Sequence, residues 1–150
     1  MKQYMLDTNI FNRLLDNDSE VSRWFLGEAE HNEFYATSIQ YDELKNTKDI
    51  DRRSKLLETF KVVEELSNMK MKPTNTSIFG VSTFGMTYYG KGPLFDNILK
   101  ELDGRKKKDN NPQDALIGET AIMKGYTLVT TDGNFCDVVR SEGGKVKKYL

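Results

Sequence analysis

The sequence predicts an α/β protein whose parallel sheet is covered by helices on both faces. Three observations support this fold class. Short apolar stretches typical of strands alternate with amphipathic helical patterns along the chain. The 150 residues, 37% hydrophobic and 30% charged, suit one domain, 1–150, that is large enough to bury a core. Several acidic residues follow predicted strands or open predicted helices, and functional sites of α/β sheets gather at the carboxyl ends of strands.

The first 45 residues alternate between strand and helix patterns. Apolar residues in runs of three to five mark the strands, and apolar residues three or four apart mark the helices. In order, the predicted elements are a strand over 2–6, a helix beginning near Ile10, a helix capped by Asp18 or Ser19, a strand over 34–36, and a helix from its cap Ser38 to Lys45.

The middle of the chain combines clear and ambiguous patterns. Strong helical periodicity marks 51–67, and 69–72 has the pattern of a short strand ended by proline. Residues 75–93 contain four glycines, typical of a loop, but their apolar residues fall at helical spacing. We therefore predict a glycine-containing helix there. A second helix is expected over 93–102, followed by a polar loop over 104–111.

The last third contains the clearest helix start. Asn111 is expected as the N-cap, Pro112 as the first helical residue and Asp114 as the third. This helix should end at Gly125, because glycine readily adopts the left-handed conformation that terminates helices. A strand over 127–130, a short helix and a last strand over 145–149 complete the predicted α/β order.

Composition excludes several classes of function. No apolar run approaches the roughly 20 residues that a membrane span needs, so we expect no membrane association. The chain starts without a signal peptide, and a single cysteine, Cys136, allows no internal disulfide; both favour a reducing cytoplasm. The 22 basic and 23 acidic residues nearly cancel, so nucleic-acid binding would require a local basic patch or a metal. His31 and Cys136 stand alone, which argues against a zinc centre or a catalytic triad.

Four acids occupy positions where a carboxylate is unexpected: Asp7, Glu43, Asp114 and Asp132. Each has an ordinary explanation as a helix cap, a helix-dipole partner, a turn residue or a surface acid. Like charges about 4 Å apart repel by roughly 4 kcal/mol at an effective dielectric of about 20. If these carboxylates cluster, a cation must compensate them, and oxygen ligands favour Mg²⁺ or Mn²⁺.

Three sequence blocks give the chain a resemblance to PIN-domain nucleases. They are Met5–Phe11, Ser38–Leu44, and Asp114–Ala121 running into Gly125–Asp132. The first and third blocks are specific, and the second is weak by itself. The resemblance spans nearly the whole chain and is greatest to VapC-like toxin ribonucleases of type II toxin–antitoxin pairs. It implies a three-layer α/β/α sandwich with a central, mainly parallel sheet.

The resemblance also implies a catalytic and metal-binding set at Asp7, Glu43, Asp114 and Asp132. Asp42 adjoins Glu43 and is an alternative ligand at that position. Thr8, Asn9 and Thr130 are expected to orient the carboxylates. Asn134 stands where many relatives have a further acid, and its amide oxygen could assist. The implied activity is a Mg²⁺- or Mn²⁺-dependent endoribonuclease in which metal-activated water cleaves the RNA phosphodiester.

Other features bear on partners. Arg105, Lys106, Lys107 and Lys108 form a basic run that could bind RNA phosphates, although a solvated loop is an equal reading. Phe84, Tyr88 and Tyr89 could stack on bases but more often such residues pack in a core or a dimer interface. The resemblance further implies a protein antitoxin and a homodimer.

Two alternatives to a nuclease come from other classes. One is a catalytically silent PIN-like module that binds RNA or protein. The other is a phosphoryl-transfer receiver or phosphatase, which also places acids at strand ends. It has less support, because no second acid follows Asp7 at the spacing of such a phosphatase and no lysine follows the late strand as in a receiver.

Overall fold

The computed structural model describes residues 1–74 and 93–149, and between them the backbone of 77–82 and 85–89. Its strands are β1 (Gln3–Leu6), β2 (Glu33–Ala36), β3 (Lys70–Met71), β4 (Ser77–Ser82), β5 (Gly85–Tyr89), β6 (Thr127–Thr130) and β7 (Lys145–Lys148). Its helices are α1 (Thr8–Leu15), α2 (Ser19–Glu28), α3 (Ser38–Lys45), α4 (Ile50–Ser67), α5 (Pro93–Arg105), α6 (Asn111–Lys124) and α7 (Gly133–Ser141).

The main sheet has five strands in the order β3-β2-β1-β6-β7, and all neighbouring pairs are parallel. The central strand β1 pairs with β2 through Met5 and Tyr35, and with β6 through Met5 and Leu128. The three central strands are almost wholly buried. This explains their apolar sequences, because parallel sheets are normally covered on both faces.

Alternate residues of the central strands face two separate cores. Tyr4 and Leu6 lie in the first core, which β1 shares with residues of α1, α2 and α4. Met5 lies in the second core, which contains residues of α5, α6 and α7. Because successive strand residues point to opposite faces, helices cover both sides of the sheet. The predicted three-layer α/β/α sandwich is confirmed.

Helix α3 is capped by Thr37, which corrects the expected cap, Ser38. The Thr37 hydroxyl accepts a hydrogen bond from the Ile39 amide, and the Gln40 carboxamide oxygen accepts one from the Thr37 amide, at 2.8 Å. The fully buried Gln40 also donates to the carbonyl of Leu6 at 3.0 Å. This capping box therefore fixes the start of α3 against the end of β1.

Helix α6 starts one residue earlier than the sequence suggests. Asn110 occupies the N-cap position without a side-chain capping bond, so Asn111 is the first helical residue. Asp114 is consequently the fourth residue of the helix and not the third. The end of the helix was predicted correctly: Gly125 is left-handed, with a φ of 74°.

The predicted helix over 75–93 is wrong. Its described residues form the antiparallel strands β4 and β5. Their sequences are rich in β-branched and aromatic residues, which favour strands, and glycine within a helix costs about 1 kcal/mol. The side chains of Phe84, Tyr88 and Tyr89, considered above for base stacking, lie outside the described residues.

The polar connection between α5 and α6 is shorter than predicted. Helix α5 continues to Arg105, and α6 begins at Asn111, so only residues 106–110 link the two helices. None of the helices in the described ranges is both long and apolar enough to cross a membrane.

Gly118 of α6 packs closely against α7, with little space for a side chain. A Cβ atom built on Gly118 would lie 3.1 Å from Phe135 Cε1 and 3.4 Å from Val139 Cγ2. We predict that Gly118→Leu lowers the free energy of unfolding by about 1–3 kcal/mol, because it overpacks a filled core. Urea denaturation measures this change. The control is Gly104→Ala in α5, where a Cβ meets nothing within 4 Å; it should leave stability unchanged or raise it. Equal effects of the two substitutions would contradict the packing argument.

Candidate functional site

The candidate site lies where the carboxyl ends of β1 and β6 meet. Leu6, the last residue of β1, pairs with Val129, and the Asp7 amide donates to the Val129 carbonyl at 2.9 Å. The strand order changes direction here: β1 has β2 on one side and the later strand β6 on the other. Such a reversal opens a crevice outside the sheet, where α/β proteins commonly bind ligands.

Asp7 is buried at this edge, with 4% of its surface exposed. One carboxylate oxygen accepts a hydrogen bond from the Thr8 amide at 2.8 Å. The other accepts bonds from the Thr130 hydroxyl at 2.6 Å and the Asn9 amide at 3.1 Å. Because α1 begins at Thr8, Asp7 is the N-cap of that helix. Asp7 is therefore both a helix cap and a site acid.

Thr130 and Asn9 join Asp7 to the end of β6. Thr130 Oγ1 accepts bonds from Asn9 Nδ2 at 3.2 Å and from the Asp132 amide at 3.1 Å. Asn9 Oδ1 accepts a bond from the Thr131 amide at 3.1 Å. The structure thus brings together Thr8, Asn9 and Thr130 around the Asp7 carboxylate, as the resemblance implied.

Glu43 lies towards Asp7, whereas its neighbour Asp42 is exposed. The Thr8 hydroxyl donates to Glu43 Oε1 at 2.8 Å. Burial raises the pKa of Glu43 to about 7; the bond from Thr8 opposes the rise, and the charge of Asp7 adds to it. Of the two adjacent acids, Glu43 is the one that faces the site.

Asp114 approaches the same place from the first turn of α6. It is 5% exposed. Burial raises its pKa to about 9, and repulsion from Asp7, Glu43 and Asp132 contributes to the rise. Burial likewise raises the pKa of Asp7, despite its hydrogen bonds. The charges of these acids therefore act on one another, and little positive charge offsets them.

Asp132 differs from the other three acids because it has a cationic partner. Lys108 Nζ lies 3.0 Å from Asp132 Oδ2, and the Phe135 amide donates to Asp132 Oδ1 at 3.2 Å. Burial alone would raise the pKa of Asp132, but these bonds and a backbone bond from Asn134 lower it. The contribution of Asn134 shown here is thus its backbone amide.

Only Lys108 of the predicted basic run reaches the acids. Arg105 contacts Asp137 at 3.2 Å in an exposed pair, and the Lys106 and Lys107 side chains are exposed. Sequence reasoning placed Lys108 among RNA contacts and missed its pairing with Asp132. No local signal reveals this pairing, because the residues are 24 positions apart and belong to different elements.

The donors suit a divalent metal by type and charge. Asp7, Glu43 and Asp114 offer oxygen atoms, which Mg²⁺ and Mn²⁺ prefer, and burial together with mutual repulsion raises the pKa of Glu43 and Asp114, so a cation would favour their ionised forms. Within the described ranges, however, no three such side chains are close enough to form a ready-made metal-binding group.

Comparisons of structure match the chain along its whole length. A chain of the VapBC2 complex from Rickettsia felis, crystallised with a DNA fragment from its promoter, superimposes with a TM-score of 0.62 at 21% identity and covers 99% of both chains. A domain of a functionally unknown protein from Methanocaldococcus jannaschii superimposes with a TM-score of 0.60 at 16% identity. The match covers 100% of this chain and 92% of the other. FitAcB from Neisseria gonorrhoeae superimposes with a TM-score of 0.57 at 16% identity, and the match covers 95% of both chains.

Comparisons of sequence found no match, either among family models or among curated proteins. At these identities, the structural matches establish the fold. They agree with the sequence resemblance and with the parallel sheet order described above. The chain therefore has the PIN-like α/β/α fold of the VapBC and FitAB structures.

Proposed function

We propose that this chain is a Mg²⁺- or Mn²⁺-dependent endoribonuclease and the toxin of a toxin–antitoxin pair. The main observation is that Asp7, Glu43 and Asp114 converge from three different elements on one sheet edge, each with a raised pKa. Perturbed carboxylates in a crevice are typical of functional sites. The VapBC and FitAB neighbours support the toxin reading through their shared fold.

The side chains of the site have distinct tasks in this proposal. Asp7, Glu43 and Asp114 hold the metal, and Asp132 lies at its boundary. A bound divalent ion would act as a Lewis acid on the phosphodiester and lower the pKa of an attacking water. Thr130 and Asn9 hold Asp7 in place, and the Thr8 hydroxyl holds Glu43.

The RNA substrate would lie across the connection between α5 and α6. Lys106 and Lys107 are exposed there, and Arg105 belongs to an exposed ion pair that phosphate could replace. Lys148 lies against Gly133, the residue after Asp132, with Nζ 3.3 Å from the position of a Cβ built on Gly133. Basic side chains therefore lie near Asp132, an arrangement that suits a phosphate backbone bound next to a metal.

A protein antitoxin is the partner that the neighbours support. A groove of about 440 Å³ lies between α1, α2 and α4 on the first core. Its lining includes the exposed apolar residues Leu26 and Leu66, which are 64% and 50% exposed, and the charged residues Lys55 and Glu58. Such a surface suits an amphipathic segment of a partner protein. We also propose that two copies of the chain form a homodimer.

A catalytically silent RNA- or protein-binding module is the second candidate. The observation that favours it is the lack of a ready-made three-carboxylate group among the described residues. The two candidates differ in metal-dependent cleavage, which only the nuclease performs.

We predict Mg²⁺- or Mn²⁺-dependent cleavage of single-stranded RNA. Asp7→Asn and Asp114→Asn should each reduce the cleavage rate by more than the roughly 10- to 100-fold typical of losing an outer partner of a metal site. EDTA should abolish cleavage, and added Mn²⁺ should restore it. Gel assays with end-labelled RNA measure the rates, and circular dichroism checks that the variants fold.

The adjacent acids Glu43 and Asp42 supply a matched control. Glu43→Gln should reduce cleavage strongly, whereas Asp42→Asn should not, because only Glu43 faces the site. Cleavage that persists in Asp7→Asn, Asp114→Asn and EDTA would overturn the metal mechanism. RNA binding without any cleavage by the wild-type chain would instead support the silent module.

The raised pKa values predict that the metal-free protein loses stability as the pH rises. The usual pKa values are 4.5 for Glu43 and 3.8 for Asp114, and folding raises them to about 7 and about 9. The folded chain therefore keeps protons that the unfolded chain has released. Stability from these groups is complete below about pH 4 and declines as the pH rises through about 7 and then about 9.

Urea denaturation in EDTA, from about pH 5 to about pH 9, tests this linkage. Asp114→Asn should flatten the decline and raise the free energy of unfolding near pH 8 by about 1 kcal/mol or more. The exposed Asp109→Asn should not. Mn²⁺ should stabilise the wild type most at high pH. If the free energy of unfolding declined equally with pH in the wild type, Asp114→Asn and Asp109→Asn, groups other than Asp114 would be the cause.

The toxin reading makes a cellular prediction. Induced expression of the wild-type chain in a bacterial host should arrest growth, because ribonuclease activity depletes essential RNA. Asp7→Asn, produced at the same level, should not arrest growth. Growth curves with immunoblots measure both. Equal growth arrest by the two proteins would show that toxicity does not depend on the acidic site.

A further inference from the structure

Among the residues that the structure describes, Lys108 is the basic side chain that forms an ion pair with one of the four site acids, Asp132. Its ammonium lies 3.0 Å from Asp132 Oδ2, and both side chains are largely shielded, at 30% and 23% exposure. The charge of Lys108 also acts on Asp114 and Asp7. The other ion pairs among the described residues, Arg13–Asp18, Arg52–Asp16 and Arg105–Asp137, join no site acid.

The position of Lys108 allows it to leave Asp132. It belongs to the short connection 106–110 and not to a helix or strand. A lysine ammonium is a compact charge on a flexible four-carbon stem, so it can change partners without movement of the backbone. A divalent ion near Asp132 would repel it, and an RNA phosphate near the site would attract it.

We propose that Lys108 is an internal counter-ion that competes with the divalent metal for the acidic site. In the metal-free chain it neutralises part of the cluster by pairing with Asp132. A divalent ion held by Asp7, Glu43 and Asp114 repels the nearby ammonium of Lys108, so the two cations oppose each other at the site. The inference rests on the proposed metal site and adds a residue that sets the affinity of that site. Lys108 is thus a positioning residue and not a catalytic residue.

Binding of Mn²⁺ alone, without RNA, tests the proposal. Isothermal titration calorimetry should show that Lys108→Met binds Mn²⁺ roughly five- to tenfold more tightly than the wild type, because a competing ion pair and a repelling charge are both absent. Lys108→Arg keeps the charge and should bind like the wild type. Lys107→Met removes the charge of the exposed neighbouring lysine and should change affinity little.

A stability measurement separates this role from a structural one. In EDTA, Lys108→Met should unfold at lower urea concentration than the wild type, because the acids have lost their counter-ion. Saturating Mn²⁺ should remove the difference. A lysine that only supports the fold would instead leave Lys108→Met destabilised with metal present.

The outcomes distinguish the inference from the proposed function. Equal or weaker Mn²⁺ binding by Lys108→Met, with binding by the wild type, would overturn the inference and leave the metal site standing. No Mn²⁺ binding by either protein would overturn both. Binding by Lys108→Met that is tighter than in the wild type and in Lys108→Arg would support the competition.

Discussion

The site depends on the burial of the Asp7 carboxylate at the end of the central strand. A buried charge costs several kcal/mol unless hydrogen bonds or opposite charge compensate it. Thr130, Asn9 and the Thr8 amide provide three bonds of 2.6 to 3.1 Å. The same contacts join β1, the start of α1 and the end of β6. The crevice is therefore held in shape by the interactions that solvate its central acid.

These hydrogen bonds do not neutralise the cluster. Lys108 pairs with Asp132 alone, and Asp7, Glu43 and Asp114 have raised pKa values. A sequence selected only for stability would replace at least one of these acids with a neutral residue. The cluster is present although it lowers the stability of the fold. This is typical of a functional site, where local rules of folding are broken for the sake of chemistry.

Sequence analysis predicted the features of the fold that depend on local residue patterns. It missed the features that depend on contacts between residues far apart in the chain. Alternating strands and helices gave the layered sheet, and Gly125 gave the end of α6. The start of α3 was misplaced because its capping box depends on Gln40, which is fixed by the Leu6 carbonyl. Strands β4 and β5 were misread because their apolar residues also fit helical spacing. The resemblance supplied the candidate site acids. It did not supply the partner of Asp132, because no motif encodes a contact between a loop lysine and a helix cap.

The asymmetry of charge within the site bears on where a cation would bind. Asp132 already has Lys108, and its pKa is lowered, so a second cation gains least there. Burial raises the pKa of Asp7, Glu43 and Asp114, and the charge of Asp7 acts on both of the others. A divalent ion would recover the most electrostatic energy between these three carboxylates. In the proposed metal site, this favours Glu43 over Asp42 as the ligand from α3.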